Sequence, residues 1–159
     1  MTGGKGENMT LTQKETSLLS DLKSQEELCI EKYGKYEMDA KDPQLKSLFS
    51  NIKSTESGHL GTINKMLSGE EVKMPPAPSA ESEKLNCTPS SCNAQDKKSD
   101  EFLCKDALAM EKHVSSLYDV SVFEFTSPIM RDTLAHIQKE EQNHGNQIYQ
   151  YMSMNGMYS

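Results

Sequence analysis

The sequence Glu141-Gln-Asn-His144 lies within the apolar run 130–152, where a helix with a buried face is expected. It has a counterpart 85 positions earlier, Glu56-Ser-Gly-His59, and the residues around the two align at that offset without a gap. The aligned pairs include Leu18 and Leu103, Glu26 and Glu111, Tyr33 and Tyr118, Pro43 and Pro128, Ile52 and Ile137, and Ile63 and Ile148. Internal repetition of this kind marks a duplicated structural unit, so the sequence predicts two copies of one helical hairpin.

Apolar residues recur at helical spacing in four segments, and each set predicts an apolar stripe along one face of a helix. They are Leu18, Leu22, Cys29, Tyr33, Tyr36 and Ala40 in the first, and Leu45, Leu48, Phe49, Ile52, Ile63, Met66 and Leu67 in the second. They are Leu103, Ala107, Val114, Tyr118, Val122 and Phe125 in the third, and Met130, Leu134, Ile137, Ile148, Tyr151 and Met152 in the fourth. Thr12-x-x-Glu15 is a capping box at the first helix start, and Gly156 is a C-cap at the last helix end.

The spacing of helices and turns predicts the domain organisation. Asp42-Pro43 and Ser127-Pro128 mark short turns, because proline disfavours helix in the residue before it and suits a first helical turn. We expect residues 1–10 to be a flexible tail and residues 11–159 to be one four-helix domain. Within this domain, residues 68–99 are expected to be a crossover linker, because Pro75, Pro76 and Pro78 prevent a continuous helix there. The predicted fold is an all-α bundle of two hairpins joined by one long crossover.

Charge and composition exclude several classes of protein. The net charge of −7 argues against a nucleic-acid binder, which neutralises phosphates with basic side chains. No apolar run approaches the ~20 residues that span a bilayer, so no membrane partner is expected. The first residues lack the apolar segment of a secretory signal, so we expect a cytoplasmic protein. Four cysteines in 159 residues do not make a disulfide scaffold.

The repeated acidic and histidine residues predict a metal site. Four buried carboxylates would repel one another, whereas two divalent cations would neutralise them. The i, i+3 spacing places each Glu with its His on one helical face. One Glu from each of two helices and Glu-x-x-His from each of the other two is the ligand set of di-iron and di-manganese carboxylate bundles. The predicted metal ligands are Glu26, Glu56, His59, Glu111, Glu141 and His144.

Two iron or manganese ions suit this mixed carboxylate and imidazole set. We expect Glu56 with His59 to hold one ion and Glu141 with His144 to hold the other. Glu26 and Glu111 are expected to be single-carboxylate ligands, and bridging is left open for them. A hydrogen-bonded polar core without metal is the open alternative.

Other polar residues lie near these stripes. Glu37 and Glu140 border the ligand faces and are candidates for alternative ligands or for groups that orient the ligands. His113 and His136 fall off the apolar stripes and are expected to be solvated.

Two further pairs of residues have an expected role. Tyr33 and Tyr118 are repeat-related and are expected to pack in the core with a hydrogen-bonded hydroxyl group. Cys87 and Cys92 lie in the crossover, where an exposed thiol pair could form a disulfide or cross-link to a neighbour. Their spacing does not match the paired Cys-x-x-Cys of a zinc or rubredoxin site.

Residues 12–154 resemble the ferritin-like superfamily, and the ligand set is most similar to rubrerythrin and bacterioferritin centres. The second hairpin also resembles the spore coat F family. The residues that carry this likeness are Asp106-Ala-Leu108, Ser127-Pro128, Arg131, Glu140-Glu141-x-x-His144 and Tyr151-Met152-x-x-x-Gly156-x-Tyr158, with Met157 where that family often has Trp. The resemblance implies a ferritin-like bundle associated with the spore coat, and a homodimer is expected.

Three functional classes follow from the resemblance. The first is an enzyme that reduces peroxide or O2 at a dimetal site, with an external electron donor because the chain has no four-cysteine rubredoxin domain. The second is a non-catalytic structural component that joins other spore coat proteins. Iron storage ranks third, because nothing after residue 154 supplies the short fifth helix of ferritin cages.

Overall fold

The computed structural model describes residues 9–76 and 84–158. These residues form four helices, α1 (Gln13–Asp39), α2 (Pro43–Leu67), α3 (Ala94–Val122) and α4 (Pro128–Met154), and none of them lies in a strand. The predicted all-α four-helix bundle is confirmed. Most of the predicted tail (residues 1–8), Pro78 with its neighbours 77–83, and Ser159 lie outside the described residues.

The helix ends have the caps that the sequence predicts. Thr12 and Glu15 form a reciprocal capping box at the start of α1. Gly156 has φ +66° just after α4, and the Met157 N–H donates to the Met152 carbonyl at 2.8 Å, so a Schellman turn ends that helix.

Helix α3 begins earlier than the predicted linker allows. The linker was predicted to run to residue 99, but α3 starts at Ala94, so residues 94–99 are helical. The Asn93 side chain accepts the Asp96 N–H at 2.8 Å and thereby caps this helix start. Asp96 adds a negative charge in the first turn, where the helix dipole favours it.

Equivalent acidic residues join the two hairpins at both ends of the bundle. Buried Asp100 accepts the N–H groups of Lys41 and Asp42, at 2.8 and 3.0 Å, in the turn between α1 and α2. Buried Glu15, 85 positions before Asp100, accepts the Thr126 N–H at 3.5 Å in the turn between α3 and α4. The start of each hairpin therefore lies beside the turn of the other, and α1 packs against α2 and α3 while α4 packs against α3 and α2.

The connection between α2 and α3 returns along the bundle, because α2 ends at the opposite end from the start of α3. Its two described parts are anchored on α4, where Thr133 donates to the Val72 carbonyl at 2.6 Å and Gln150 accepts the Leu85 N–H at 3.0 Å. Gly69, at φ +86°, begins the connection, and a Cβ there would lie 2.3 Å from the Met9 carbonyl oxygen. Only glycine fits at this position without moving the backbone.

The core lies along the four predicted apolar stripes, with small differences at the helix ends. Leu19 is fully buried where the sequence predicted Leu18, which is only half-buried, as are Leu67 and Val122. Every other predicted stripe residue is buried. Among the described helices, none is both long and apolar enough to cross a bilayer.

Candidate metal centre

The six predicted ligands meet in the middle of the bundle. Each is buried, with no more than 6 % of its surface exposed. Their ligand atoms form two groups of four residues, and within each group the atoms lie within 4.8 Å of one another. The first group is Glu26, Glu56, His59 and Glu141, and the second is Glu56, Glu111, Glu141 and His144.

The first group is centred on the Nδ1 atom of His59. This nitrogen lies 3.2 Å from Glu56 Oε2, 3.0 Å from Glu141 Oε1 and 3.8 Å from Glu26 Oε1. Three helices supply these side chains, since Glu26 lies on α1, His59 and Glu56 on α2, and Glu141 on α4. The carboxylate oxygens thus converge on one imidazole nitrogen.

The second group repeats this arrangement around His144. Its Nδ1 atom lies 3.1 Å from Glu56 Oε1, 3.5 Å from Glu111 Oε1 and 3.7 Å from Glu141 Oε2. The two oxygens of Glu56 therefore face different histidines, and so do the two oxygens of Glu141.

The two groups distribute the four carboxylates unequally. Glu26 and Glu111, for which the sequence left bridging open, each belong to one group only. Glu56 and Glu141 belong to both groups and are the residues placed to bridge two ions. Both oxygens of Glu56 on α2 and both oxygens of Glu141 on α4 lie near the two histidines, whereas Glu26 and Glu111 each lie near one histidine.

Two tyrosines hold the carboxylates of Glu26 and Glu111, each of which belongs to one group only. We call these two the unshared carboxylates, and Glu56 and Glu141 the shared ones. Tyr33 on α1 donates its hydroxyl hydrogen to Oε1 of Glu111 on α3. Tyr118 on α3 donates to Oε1 of Glu26 on α1, at 2.5 Å. Both rings are fully buried, and both hydroxyl groups are hydrogen-bonded, as the sequence predicted.

Burial and mutual repulsion keep the unshared carboxyl groups protonated in the metal-free chain. Burial, a hydrogen bond with Glu56 and the charges of Glu56 and Glu141 raise the pKa of Glu26 to about 11. Burial, the charge of Glu141 and a hydrogen bond with Glu141 raise the pKa of Glu111 well above its ordinary value. Both shifts favour the protonated form of these two carboxyl groups.

The pKa values of the shared carboxylates are lowered rather than raised, and those of the two histidines are raised. Burial raises the pKa of Glu56 and of Glu141, but hydrogen bonds from a neighbouring glutamic acid and both histidines more than offset it and hold each pKa below its usual range. Burial lowers the pKa of His59 and of His144, yet hydrogen bonds to the carboxylates raise both well above the ordinary value. The shifts favour ionised Glu56 and Glu141 beside protonated His59 and His144.

Several buried atoms in this cluster have no fixed partner. Apart from neighbouring carboxyl groups, Oε2 of Glu26, of Glu111 and of Glu141 has no hydrogen-bond partner among the described residues, and Nε2 of His59 has none. Buried polar atoms in folded proteins nearly always have a partner, so such exceptions call for an ion or a water molecule. Four carboxylates and two imidazoles are also donors that suit iron or manganese, so the residues fit a dimetal centre.

The outer polar residues differ in part from expectation. His136 was expected to be solvated, but its side chain is only 10 % exposed and its Nε2 lies 2.7 Å from Glu140 Oε1. Glu140 Oε1 also lies 3.6 Å from His59 Nε2, so Glu140 faces the first group from outside it. The i, i+4 spacing of His136 and Glu140 was the available sequence signal. Glu37 belongs to neither group, and His113 is exposed as expected.

The crossover cysteines are less exposed than predicted. Cys87 and Cys92 are both half-buried and unpaired with each other, and Cys87 packs against the core. Burial raises the pKa of the Cys87 thiol, and the charge of Asp42 adds to this. The neutral thiol is the less reactive form.

A comparison with families of known proteins finds a match to the region that holds most of α3 and all of α4. Residues 99–159 match the family model of the Coat F domain, in agreement with the resemblance of the second hairpin to the spore coat F family. No curated protein and no solved structure matches the chain.

Proposed function

We propose that the protein is a structural component of the spore coat and that two metal ions hold its four-helix bundle together from inside. The observation that carries the coat assignment is the Coat F domain match over residues 99–159. That match contains α3 and α4, which supply Glu111, Glu141 and His144 of the buried cluster.

Charge balance supports the metal part of the proposal. Two divalent ions bring a charge of +4, which equals the charge of four ionised carboxylates with neutral imidazoles. The same ions would also supply partners for the Oε2 atoms of Glu26, Glu111 and Glu141. Ligands from four helices would then be joined at one point, and binding free energy would add to the stability of the fold. Iron and manganese are the ions we propose.

The surface supports assembly with other coat proteins or with a second copy of the chain. Large apolar side chains are exposed along α3 and at its C-cap, where Phe102 is 69 %, Val120 56 % and the cap residue Phe123 81 % exposed. Met38 on α1 is 79 % exposed. Val120 and Phe123 are three residues apart and are neighbours at the end of α3, and exposed apolar side chains that lie together are typical of surfaces that bind other proteins.

The coat role is tested by locating the protein in sporulating cells. We expect a tagged chain to be recovered in the coat fraction of purified spores rather than in the soluble lysate. A matched chain with Phe102→Ser and Phe123→Ser should keep its helicity and leave the coat fraction. A wild-type chain that stays in the soluble fraction would contradict the structural role.

The metal part is tested by elemental analysis of protein purified without chelator. We expect about two iron or manganese ions per chain. The Glu56→Ala, Glu141→Ala double variant removes both shared carboxylates and should bind almost no metal. Glu27→Ala with Glu31→Ala is the matched control, because both residues are exposed on α1. Metal that the site variant retains would contradict the dimetal proposal.

A second candidate function is reduction of peroxide or O2, and the paired geometry favours it. The two groups share Glu56 and Glu141, so two ions held there would be neighbours. Bound iron or manganese would supply the redox couple, with electrons from an external donor. The protein residues would hold the ions, and the Tyr33 and Tyr118 hydroxyl groups would orient the unshared carboxylates.

The two candidates are separated by turnover. Metal-loaded protein with a chemical reductant should convert hydrogen peroxide, two electrons and two protons into two water molecules if it is an enzyme. Activity that Glu56→Ala abolishes and Glu27→Ala keeps would favour the enzyme. Metal-loaded protein that consumes no peroxide and is recovered in the coat would favour the structural role.

A further inference from the structure

Glu140 on α4 lies just outside the buried cluster, beside the ring of His59 on α2. Its Oε1 atom is 3.6 Å from Nε2 of that histidine, while Nδ1 of the same ring faces the cluster carboxylates. This Nε2 atom is buried and has no hydrogen-bond partner among the described residues. Because Glu140 belongs to neither group of ligand atoms, its carboxylate faces the outer edge of the ring rather than the place of an ion.

A second histidine holds Glu140 in this position. Nε2 of His136, one turn earlier on α4, lies 2.7 Å from the same Oε1 atom. Both side chains are half-buried, so the protein around them restricts where the carboxylate can turn. His136, Glu140 and His59 therefore form a row that leads from the partly exposed surface of α4 to the first group.

The first hairpin does not repeat this row beside His144. The positions equivalent to His136 and Glu140, 85 residues earlier, are Asn51 and Thr55. Both line a cleft of about 250 Å³ between α2 and α4 that reaches His144, and Glu140 lines it from α4. Neither Asn51 nor Thr55 carries a charge that could act on the ring. The two histidines of the cluster thus differ in their surroundings, although both belong to a Glu-x-x-His sequence.

A carboxylate behind a metal-binding imidazole changes how the imidazole binds. The ring nitrogen that does not hold the ion donates its hydrogen to the carboxylate, which fixes the orientation of the ring and makes the other nitrogen a stronger ligand. Loss of such a partner typically lowers metal affinity by about 10- to 100-fold. The 3.6 Å between Glu140 and His59 is slightly longer than a hydrogen bond, and a small rotation of either side chain shortens it.

We propose that Glu140 is a positioning residue for His59 and that it makes the two metal sites unequal, so that the first group holds its ion more tightly than the second. The inference rests on the proposed dimetal centre. His136 contributes by keeping the Glu140 carboxylate against the ring. The ion of the second group is then the one that exchanges, because His144 borders the cleft between α2 and α4 and has no such row behind it.

The experiment measures Mn²⁺ affinity by calorimetry in two full-length chains that each keep one site. Glu111→Gln leaves the first group intact, and Glu26→Gln leaves the second. Adding Glu140→Gln should weaken the remaining ion by about 10- to 100-fold in the first chain and change little in the second. A general loss of stability would lower the affinity of both chains, so this selectivity separates positioning from a structural role. The control Asp132→Asn removes an exposed charge from the same helix and should change neither affinity.

A reciprocal variant builds the missing row beside His144. Asn51→His with Thr55→Glu copies the second hairpin into α2, at positions where the cleft leaves room for larger side chains. In the Glu26→Gln chain these changes should tighten the remaining ion by about tenfold or more. In the Glu111→Gln chain they should change little.

Four results would each overturn the proposal. They are equal weakening of both chains by Glu140→Gln, no weakening of the first chain, complete loss of its ion at saturating Mn²⁺, and a helical reciprocal variant that tightens neither ion. Complete loss would make Glu140 a metal ligand instead. If each single-site chain binds one ion and Glu140→Gln has no effect, the positioning role fails and the metal centre stands. If wild type and both chains bind no ion, both proposals fail.

Discussion

Replacing one unshared and one shared carboxylate should have unequal effects on metal binding. Glu26 belongs only to the first group, so Glu26→Gln leaves Glu56, Glu111, Glu141 and His144 intact around the second ion. Glu56 belongs to both groups, so Glu56→Gln removes a ligand from both ions. Since glutamine has nearly the shape of glutamate, the change tests the charge and the ligand rather than the packing. We expect one ion in the first variant and almost none in the second.

The size of the effect follows from binding linkage. An ion present at about 1,000 times its dissociation constant stabilises the folded chain by ~4 kcal/mol, so two independent ions contribute ~8 kcal/mol. For a chain of this length each kcal/mol raises Tm by ~2–4 °C. Wild type should therefore gain ~15–30 °C when loaded, Glu26→Gln about half of that, and Glu56→Gln almost nothing.

The assay compares Tm in manganese and in chelator, by circular dichroism, with metal content measured on the same samples. The Tm of each variant in chelator serves as its own reference. The difference in Tm between manganese and chelator therefore excludes any effect of the substitution on the metal-free fold. Glu27→Gln, next to Glu26 but exposed, is the control and should behave as wild type. Equal losses in Glu26→Gln and Glu56→Gln would refute the distinction between shared and unshared carboxylates. Two ions retained in Glu56→Gln would refute the site.

Three other predictions concern stability and pH. Asp100→Asn keeps one of the two oxygens that accept backbone N–H groups, so it should lower the free energy of unfolding by ~1–3 kcal/mol in urea denaturation, whereas exposed Asp132→Asn should change it little. Tyr118→Phe deprives Glu26 of its hydroxyl donor and should cost the metal-free chain ~1–3 kcal/mol, with the control Tyr158→Phe near zero. The raised pKa values of Glu26 and of the site histidines mean that the metal-free fold holds extra protons. That stability is present at low pH and is lost as pH rises through the folded pKa values. Between pH 6.5 and 9 the metal-free chain should therefore lose up to ~1.4 kcal/mol per pH unit for each group that holds an extra proton, while metal affinity, by calorimetry, should rise. A metal-free stability that increases over this range would contradict the assignment.

The fold could be predicted because its signals are local and repeated. The Asp42-Pro43 and Ser127-Pro128 turns, the capping box at Thr12 and Gly156 at the end of α4 each specify a helix boundary through backbone chemistry. The start of α3 was missed because the Asn93 cap lies in a polar stretch without apolar periodicity. Such a boundary depends on one side-chain hydrogen bond, which sequence spacing does not reveal.

The ligand set could be predicted, but the role of each ligand could not. Both Glu-x-x-His pairs and both lone glutamates come together as their register in the repeat implies. Bridging depends on which helices pack against each other, because α2 and α4 bring Glu56 and Glu141 between the two histidines. Helix pairing is a tertiary property, and the apolar stripes are compatible with more than one arrangement. The six residues remain a predicted metal site.

The two hairpins are alike where they supply the six cluster residues and unlike around them, and the differences fall on the side of the Coat F match. Glu140 on α4 faces His59 and pairs with His136. The equivalent residues of the first hairpin are Asn51 and Thr55, which are not ionisable, so the repeat of the His136–Glu140 pair is missing beside His144. Gly145, which lines a cleft between α3 and α4, corresponds to Leu60 in the first hairpin. A duplicated hairpin needs identical residues only where both copies form one shared core. The differences between the two copies lie around the symmetric cluster and not within it.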